Sequence, residues 1–259
     1  AATSRTRLVF ASHITSTTAI VFPLAELCRG ARERGIPTLI DGAHAPGQID
    51  LRLDELGADY YTGNCHKWLC GPKGGGFLHV RQERQAGIEA PVVSWGYVAE
   101  AAAHDGAEGH ATLDAGRTGH TGFDAYTGRT PLERRLQWQG TRDLSAFLAV
   151  PAALDFQAAH DWPRRRAECH AMALELQREV LARNGLAAIA PDDALAQMVP
   201  IPVRVTDAEA LRRRLFEEWR IEVPVTQHGG QVFVRVSVQV YNTRADLERL
   251  RDALAADGV

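Results

Sequence analysis

The sequence predicts an α/β fold, with a three-layer, mainly parallel sheet in a large domain and a small α+β domain after it. Over residues 7–62, apolar stretches with strand character alternate with helical stretches, a pattern typical of parallel strands joined by crossover helices. After Gly185, a strand, a helix, two strands separated by a Gly-Gly turn and a final helix follow one another. We therefore expect a large domain at 1–147, and a linker helix with the small domain at 148–259.

The large domain is predicted from three short strands and the helices between them. The strands are expected at 7–14, 38–41 and 58–62. Pro23 opens a helix that Gly35 closes, and LRLDELG at 51–57 predicts a second helix. Ligand sites in such sheets lie beyond the carboxyl ends of the strands. Polar residues follow the three strands at 12–16, 41–44 and 64–67.

The linker and the small domain are predicted from longer periodic stretches. A helix is expected from about Leu144 to Arg183, either continuous or interrupted at Pro151 and Pro163. Asp143 or Thr141 is the expected cap of this helix. In the small domain, strands are expected at 198–205, 221–225 and 231–240, and helices at 207–219 and 244–256.

Composition excludes several function classes. The net charge is −3 with acids and bases interspersed, so nucleic acid is not an expected partner. No apolar run approaches a membrane span and AATSRTR lacks a signal-peptide core, so we expect a cytoplasmic protein. The four cysteines form no CxxC pair, which indicates free thiols. The Gly/His-rich segment 104–128 predicts a mobile loop, and its histidines match no metal-binding spacing, so no metal is expected.

Lys67 is the main candidate for covalent chemistry. It lies between two predicted strands in YYTGNCHKWLCGPKGGGFLHV at 60–80, among aromatic residues and glycines that allow close backbone approach. Burial would lower its pKa and leave a neutral amine that forms a Schiff base. Taken singly, Lys67 is also compatible with a surface position, Asp41 with a turn cap, and Arg235 with an outward-facing position on an alternating strand.

Five motifs, in order along the chain, resemble one enzyme family. They are SHITSTTAIVFP at 12–23, LIDGAHAPGQ at 39–48, YYTGNCHKWLCGPKGGGFL at 60–78, QWQGTRD at 137–143 and VRVSVQVYNTRADLERL at 234–250. Together they resemble the fold type I pyridoxal 5′-phosphate (PLP) enzymes of aminotransferase class V. Isopenicillin N epimerase-like members are the most similar, and cysteine desulfurases and kynureninases are more distant.

The resemblance implies a role for each motif residue. Lys67 would form the Schiff base with PLP and move the Cα proton, while Asp41 would pair with the pyridinium nitrogen so that the ring accepts electrons. His44 matches a position near the phenolic oxygen of the cofactor. Arg235 matches the arginine that binds the substrate α-carboxylate, for which its planar fork is suited.

The remaining matched residues concern cofactor binding and assembly. Asn64 and His66 match donors to the cofactor phosphate, and Ser16 matches a position that is often Asn. Thr141 resembles the residue that reaches the phosphate of the neighbouring subunit, which implies a homodimer with shared active sites.

Two departures from the family pattern limit what the resemblance implies. Relatives have a further N-terminal part of the large domain, roughly 100 to 170 residues. We therefore expect a fragment, or one half of a split enzyme with a companion chain. Cysteine desulfurases carry a nucleophilic cysteine before the arginine, whereas VPVTQHGGQVF at 223–233 has none, which disfavours persulfide chemistry.

The sequence thus predicts a PLP-dependent enzyme acting at Cα of an amino acid or amino-acyl substrate, either an epimerase or an aminotransferase. A C–S or C–N lyase of the same family is one alternative. A truncated, non-catalytic chain that binds a partner is another.

Overall fold

The structure, a computed structural model, describes residues 2–94, 130–137, 139–256 and 258. The predicted loop at 104–128, with His104, His110 and His120, lies outside the described residues. Tertiary contacts divide the chain into two compact units, one formed by 1–79 with 146–259 and the other by 80–145. Within the described residues, no helix has both the length and the apolar character required to cross a bilayer.

The first sheet confirms the α/β prediction. Its strands, in sheet order, are β1 (Val9–Ser12), β2 (Thr38–Asp41), β3 (Tyr60–Asn64) and β4 (Gly76–Val80). β1 pairs with β2 and β2 with β3 in parallel, and Ser12, Asp41 and Thr62 align in the register. Helix α1 (Leu24–Arg32) connects β1 to β2, and the short α2 (Leu53–Leu56) precedes β3. The strands β1, β2 and β3 therefore point their carboxyl ends to one edge.

A compact apolar cluster holds this sheet and its helices together. Ile40 and Tyr61 are fully buried, and Leu24 and Cys28 of α1 pack in the same cluster. The Asp59 carboxylate accepts hydrogen bonds from the backbone N–H and the hydroxyl of Thr38, which fixes the start of β2 against β3.

The linker region is helical but interrupted. Its helices are α5 (Ser145–Leu148), α6 (Val150–Ala159) and α7 (Trp162–Asn184). Pro151 and Pro163 both lie in the first turn of a helix, where a missing N–H costs nothing. Asp161 separates α6 from α7 with a φ of 49°. The helical region is therefore interrupted twice, at Ala149 shortly before Pro151 and at His160–Asp161 shortly before Pro163.

The unit formed by 80–145 is described in part. It contains α3 (Gln82–Gln85) and α4 (Pro131–Gln137). Asp143 accepts a hydrogen bond from the backbone N–H of Ser145 at 2.8 Å, so the predicted cap role at the start of α5 falls to Asp143.

The second sheet has the order β5-β7-β6 and is antiparallel. Its elements are β5 (Met198–Val203), α8 (Ala208–Glu217), β6 (Val225–His228), β7 (Gln231–Ser237) and α9 (Arg244–Ala256). Asp207 caps α8 by accepting from the N–H of Ala210. The sheet, α7, α8 and α9 enclose the larger apolar cluster.

The predicted strand at 221–225 is wrong for most of its length, since only Val225 is in a strand. The N–H of Ile221 donates back to the carbonyl of Leu215, which keeps this residue on the end of α8. Pro224 has no N–H to give to a ladder. The strand therefore begins one residue after the proline.

Candidate active site

The loops that follow β2 and β3 form the centre of the site. Asp41 ends β2, and its carboxylate accepts from the N–H of Ala43 at 2.9 Å, which starts the turn leading to His44. Asn64 ends β3, and the next turn carries Lys67. Because the two strands are parallel neighbours, both turns lie at the same edge of the sheet.

Lys67 and His44 meet across these two turns. The Nζ of Lys67 lies 3.3 Å from the Nε2 of His44. On the other side of the imidazole, the indole N–H of Trp68 donates to Nδ1 at 3.4 Å. Both ring nitrogens of His44 therefore have a partner, and the ring is held between Lys67 and Trp68.

Burial lowers the pKa of both members of this pair. Desolvation lowers the pKa of Lys67, the positive charge of Arg235 lowers it further, and Asp41 opposes both effects. Desolvation, followed by the charges of Lys67 and Arg235, lowers the pKa of His44 to about 4, with Asp41 again opposing. The imidazole is thus neutral at neutral pH, and the neutral amine of Lys67 is favoured.

Arg235 brings a cation to the same place from the second sheet. Its Nη1 donates to the carbonyl oxygen of Ser16 and, at 3.0 Å, to the Ser16 hydroxyl oxygen. Its Nε is buried and has no hydrogen-bond partner, and burial lowers the pKa of the guanidinium. Among the described residues, no carboxylate forms an ion pair with it, so the site holds a desolvated cation that an anion would complete.

A second set of contacts fixes the turn that carries His44. The side-chain amide of Gln48 donates to the His44 carbonyl at 2.7 Å, and its oxygen accepts from the N–H of Met198 at 3.1 Å. The indole N–H of Trp162, at the start of α7, donates to the Gly47 carbonyl at 3.0 Å. Sequence analysis assigned no role to Gln48 or Trp162. A buried amide at the end of a Gly/Pro turn is the signal that could have identified Gln48.

The turn that carries Lys67 is also fixed from outside. The amide of Gln157 on α6 donates to the carbonyls of Trp68 and Leu69 at 3.2 and 3.3 Å. Gly47 approaches the same backbone: its φ is +84°, and a Cβ there would lie 2.5 Å from the carbonyl carbon and oxygen of Trp68. The glycine is required by this contact between the two turns.

A buried His-Tyr pair lies beside Asp41, whose backbone carbonyl accepts from the N–H of His13 at 2.8 Å. The Nδ1 of His13 is 2.9 Å from the hydroxyl of Tyr61, and burial lowers the pKa of His13. Burial, followed by the charge of Asp41, raises the pKa of Tyr61, so the phenol stays neutral. Gly42 must be glycine, because a Cβ would lie 2.1 Å from the Tyr61 ring.

The structure brings several of the sequence-predicted residues together. Lys67 contacts His44, Arg235 contacts Ser16, and the charges of Arg235 and Asp41 act on Lys67 and His44. Two predicted residues make no described contact with this group: Asn64, which is half-buried, and His66, which is exposed. Thr141 is exposed and belongs to the unit formed by 80–145. The roles assigned to these residues stay predictions.

Comparison with known proteins identifies the family. The family model described as aminotransferase class V matches residues 1–250 of this chain. The chain belongs to the aminotransferase class V family.

Two curated relatives of this chain carry different names, one an epimerase and the other a desulfhydrase. It is 39% identical to isopenicillin N epimerase of Streptomyces clavuligerus over 255 residues, covering 97% of the chain and 60% of the relative. It is 30% identical to a probable chloroplastic L-cysteine desulfhydrase of Arabidopsis thaliana, covering 96% of the chain and 50% of the relative. The chain thus spans 50% to 60% of the length of these relatives.

Solved structures share the fold at low sequence identity. The apo cysteine desulfurase of Thermococcus onnurineus NA1 matches with a TM-score of 0.74 and 20% identity, over 98% of this chain and 60% of that one. A C-DES mutant with glycine covalently linked to its PLP cofactor matches with a TM-score of 0.76 and 23% identity, over 98% and 61%.

Membership of the class V family indicates PLP as the cofactor, and the site residues fit it. PLP carries an aldehyde and negative charge. The site offers Lys67, whose buried surroundings favour the neutral amine, and the desolvated guanidinium of Arg235. Asp41 supplies a carboxylate at the same edge of the sheet, as a pyridinium nitrogen requires.

Proposed function

We propose that this class V chain carries the covalent and substrate-binding residues of a PLP-dependent enzyme acting at Cα of an amino acid or amino-acyl substrate. The reaction is an epimerisation or an amino transfer. The observation that carries the proposal is the pair formed by Lys67 and a neutral His44, with the desolvated Arg235 acting on both.

The residues divide the work by their chemistry. When bound, PLP supplies an aldehyde carbon that accepts amines and a ring that takes up the electrons of the Cα–H bond. Lys67, whose pKa is lowered by burial, provides the nucleophilic nitrogen and afterwards a base for the Cα proton. Asp41 keeps the ring nitrogen protonated by its charge. Arg235 binds the substrate carboxylate through its guanidinium.

Assembly completes the proposal. Thr141 is exposed, and in this proposal it contacts the cofactor phosphate of a second subunit in a homodimer with shared sites. Asn64 and His66 contribute to the phosphate site of their own subunit.

The test exploits a rare feature of the sequence, which contains only two lysines, Lys67 and Lys73. The purified protein is loaded with PLP, reduced with borohydride, digested and mapped by mass spectrometry. We expect the cofactor mass on the Lys67 peptide, with loss of labelling in Lys67→Ala and retention in the control Lys73→Ala. Labelling that survives in Lys67→Ala would overturn the proposal, and absence of any adduct would favour a non-catalytic, partner-binding chain.

A lyase is the second candidate, and the 30% identity to L-cysteine desulfhydrases favours it. The segment 223–233 has no cysteine to carry a persulfide, which disfavours the persulfide route for such a lyase. Incubation of the loaded protein with L- and D-amino acids in deuterated water separates the outcomes. Exchange with loss of chirality indicates an epimerase, a keto acid with retained nitrogen on the cofactor an aminotransferase, and sulfide or ammonia release a lyase.

A further inference from the structure

In the hydrogen bond between Trp68 and His44, the donor and the acceptor follow from the chemistry of the indole. An indole nitrogen can only donate a hydrogen bond, because it carries a proton and no available lone pair. The Nδ1 of His44, 3.4 Å from the Trp68 Nε1, must therefore be the acceptor. In a neutral imidazole one nitrogen accepts and the other carries the proton, so the proton of His44 lies on Nε2.

This tautomer determines which protonation state of Lys67 can form a hydrogen bond with His44. Its Nζ lies 3.3 Å from the same Nε2. A protonated Lys67 would place its own N–H protons against the Nε2 proton, whereas a neutral amine has a lone pair that accepts the Nε2 proton. With the opposite tautomer, Nε2 would accept from a charged Lys67 and Nδ1 would clash with the indole proton.

We infer that Trp68 is a positioning residue of the site: its indole N–H holds His44 as the Nε2–H tautomer, and His44 then donates to the Lys67 amine and stabilises its neutral form. The role of that amine in catalysis rests on the proposed function. The tautomer and the state of the amine do not, because both are properties of the chain without cofactor.

The indole is held firmly enough to act in this way. Trp68 is 8% exposed and packs in the apolar cluster of the first sheet. Its carbonyl accepts from Gln157, and Gly47 leaves room for its backbone. Desolvation by burial is the largest cause that lowers the pKa of His44 and keeps the imidazole neutral; the charges of a protonated Lys67 and of Arg235 lower it further, and Asp41 opposes them.

The chain offers a matched control for the indole proton. Trp162 is also buried and also donates from Nε1, but to the carbonyl of Gly47. Trp162→Phe therefore removes an indole hydrogen bond from the turn that carries His44, but removes no contact to the His44 ring.

The experiment is long-range ¹⁵N–¹H NMR of the cofactor-free protein labelled at histidine, with His44 assigned by its disappearance in His44→Gln. We expect the Nε2–H pattern in the wild type and in Trp162→Phe, and a shift toward the Nδ1–H form in Trp68→Phe. A wild-type Nδ1–H pattern, or an unchanged pattern in Trp68→Phe, would overturn the inference. The wild-type spectrum alone decides the first point if Trp68→Phe does not fold.

A second readout follows the amine. Lys67 and Lys73 compete for limiting acetic anhydride at pH 8, and their labelling is compared within one sample. Trp68→Phe should lower the Lys67 to Lys73 ratio by about 2- to 10-fold, the factor corresponding to loss of one neutral hydrogen bond. An unchanged ratio would contradict the effect on Lys67. Failure of the borohydride test would leave both readouts standing, so the two proposals fail separately.

Discussion

Arg235 of β7 donates to the hydroxyl oxygen of Ser16 at 3.0 Å, and so joins the second sheet to the loop that follows β1. This bond orients the guanidinium but does not neutralise it, because a serine carries no charge. The buried Nε remains without a partner. The arginine is therefore positioned in advance for an anion, at little further cost in side-chain entropy.

Replacing Arg235 by lysine should weaken binding of substrates with a free α-carboxylate. A lysine keeps the charge but loses the planar fork, and a charge-assisted hydrogen bond contributes about 1.5–3 kcal/mol, or roughly 10- to 100-fold in affinity. The measurement is titration of the PLP-loaded protein with amino acids and their amides by visible absorbance. Arg212→Lys is the control, since Arg212 is exposed and pairs with Glu209. An equal loss for acids and amides would contradict the role in carboxylate binding.

The pH dependence of Lys67 should respond to Asp41. Burial lowers the pKa of Lys67 and Asp41 raises it, so Asp41→Asn removes the raising effect and moves the pKa further down. Since only the neutral amine is acylated, half-maximal labelling of Lys67 in the cofactor-free protein should move to lower pH, measured against Lys73. Asn retains the oxygen that accepts from Ala43, so the turn is kept.

Asp50→Asn serves as the comparison for this experiment. Asp50 is exposed and pairs with Arg52 at 3.2 Å, at some remove along the same loop. Its replacement should leave the Lys67 labelling curve in place. A shift of that curve to higher pH in Asp41→Asn would reverse the expected sign.

His44 should make the protein less stable in acid. Its pKa is about 4 in the folded state against 6.5 in the unfolded state, so between these values the unfolded chain binds more protons. The free energy of unfolding therefore loses a contribution as the pH falls from 6.5 to 4, and none above 6.5. Urea unfolding of wild type and His44→Gln at pH 8 and pH 5 should show the variant losing less stability on acidification. Equal losses would exclude His44 as a source.

Gly47→Ala should destabilise the fold and displace the Lys67 turn. The substitution combines a left-handed backbone, which costs roughly 1–2 kcal/mol, with a Cβ against the Trp68 backbone, where overpacking costs about 1–3 kcal/mol. Gly229→Ala is a suitable control, because φ is +56° there and nothing lies within 4 Å of the added Cβ. We expect a loss of about 2–5 kcal/mol at position 47 in urea unfolding and only the backbone strain at 229. Equal losses would show that the contact with Trp68 is relaxed at little cost.

The fold could be predicted where local signals agree. The strand Thr38–Asp41 and the helix Arg244–Ala256 begin and end as predicted, because an apolar run and a helical period are bounded there by polar residues. The segment 221–225 failed because its alternation of apolar residues says nothing of the hydrogen bond that returns Ile221 to α8.

Only those site residues whose side chains have a distinctive chemistry could be predicted from the sequence. Lys67, Asp41 and Arg235 stand out by residue type within motifs. Trp68 and Gln157 contact each other across 89 residues of sequence, and no periodicity links them. In the sequence, Trp68 looks like an ordinary core residue. Only the structure shows that its indole N–H points toward His44.

The amide of Gln48 connects two parts of the molecule that the sequence separates by 150 residues. It holds the His44 carbonyl with one atom and the amide of Met198, at the start of β5, with another. We therefore expect a ligand that orders the His44 turn also to slow opening at the start of β5, since Gln48 is bonded to both segments. Hydrogen exchange at the Met198 amide thus becomes a remote reporter of cofactor occupancy.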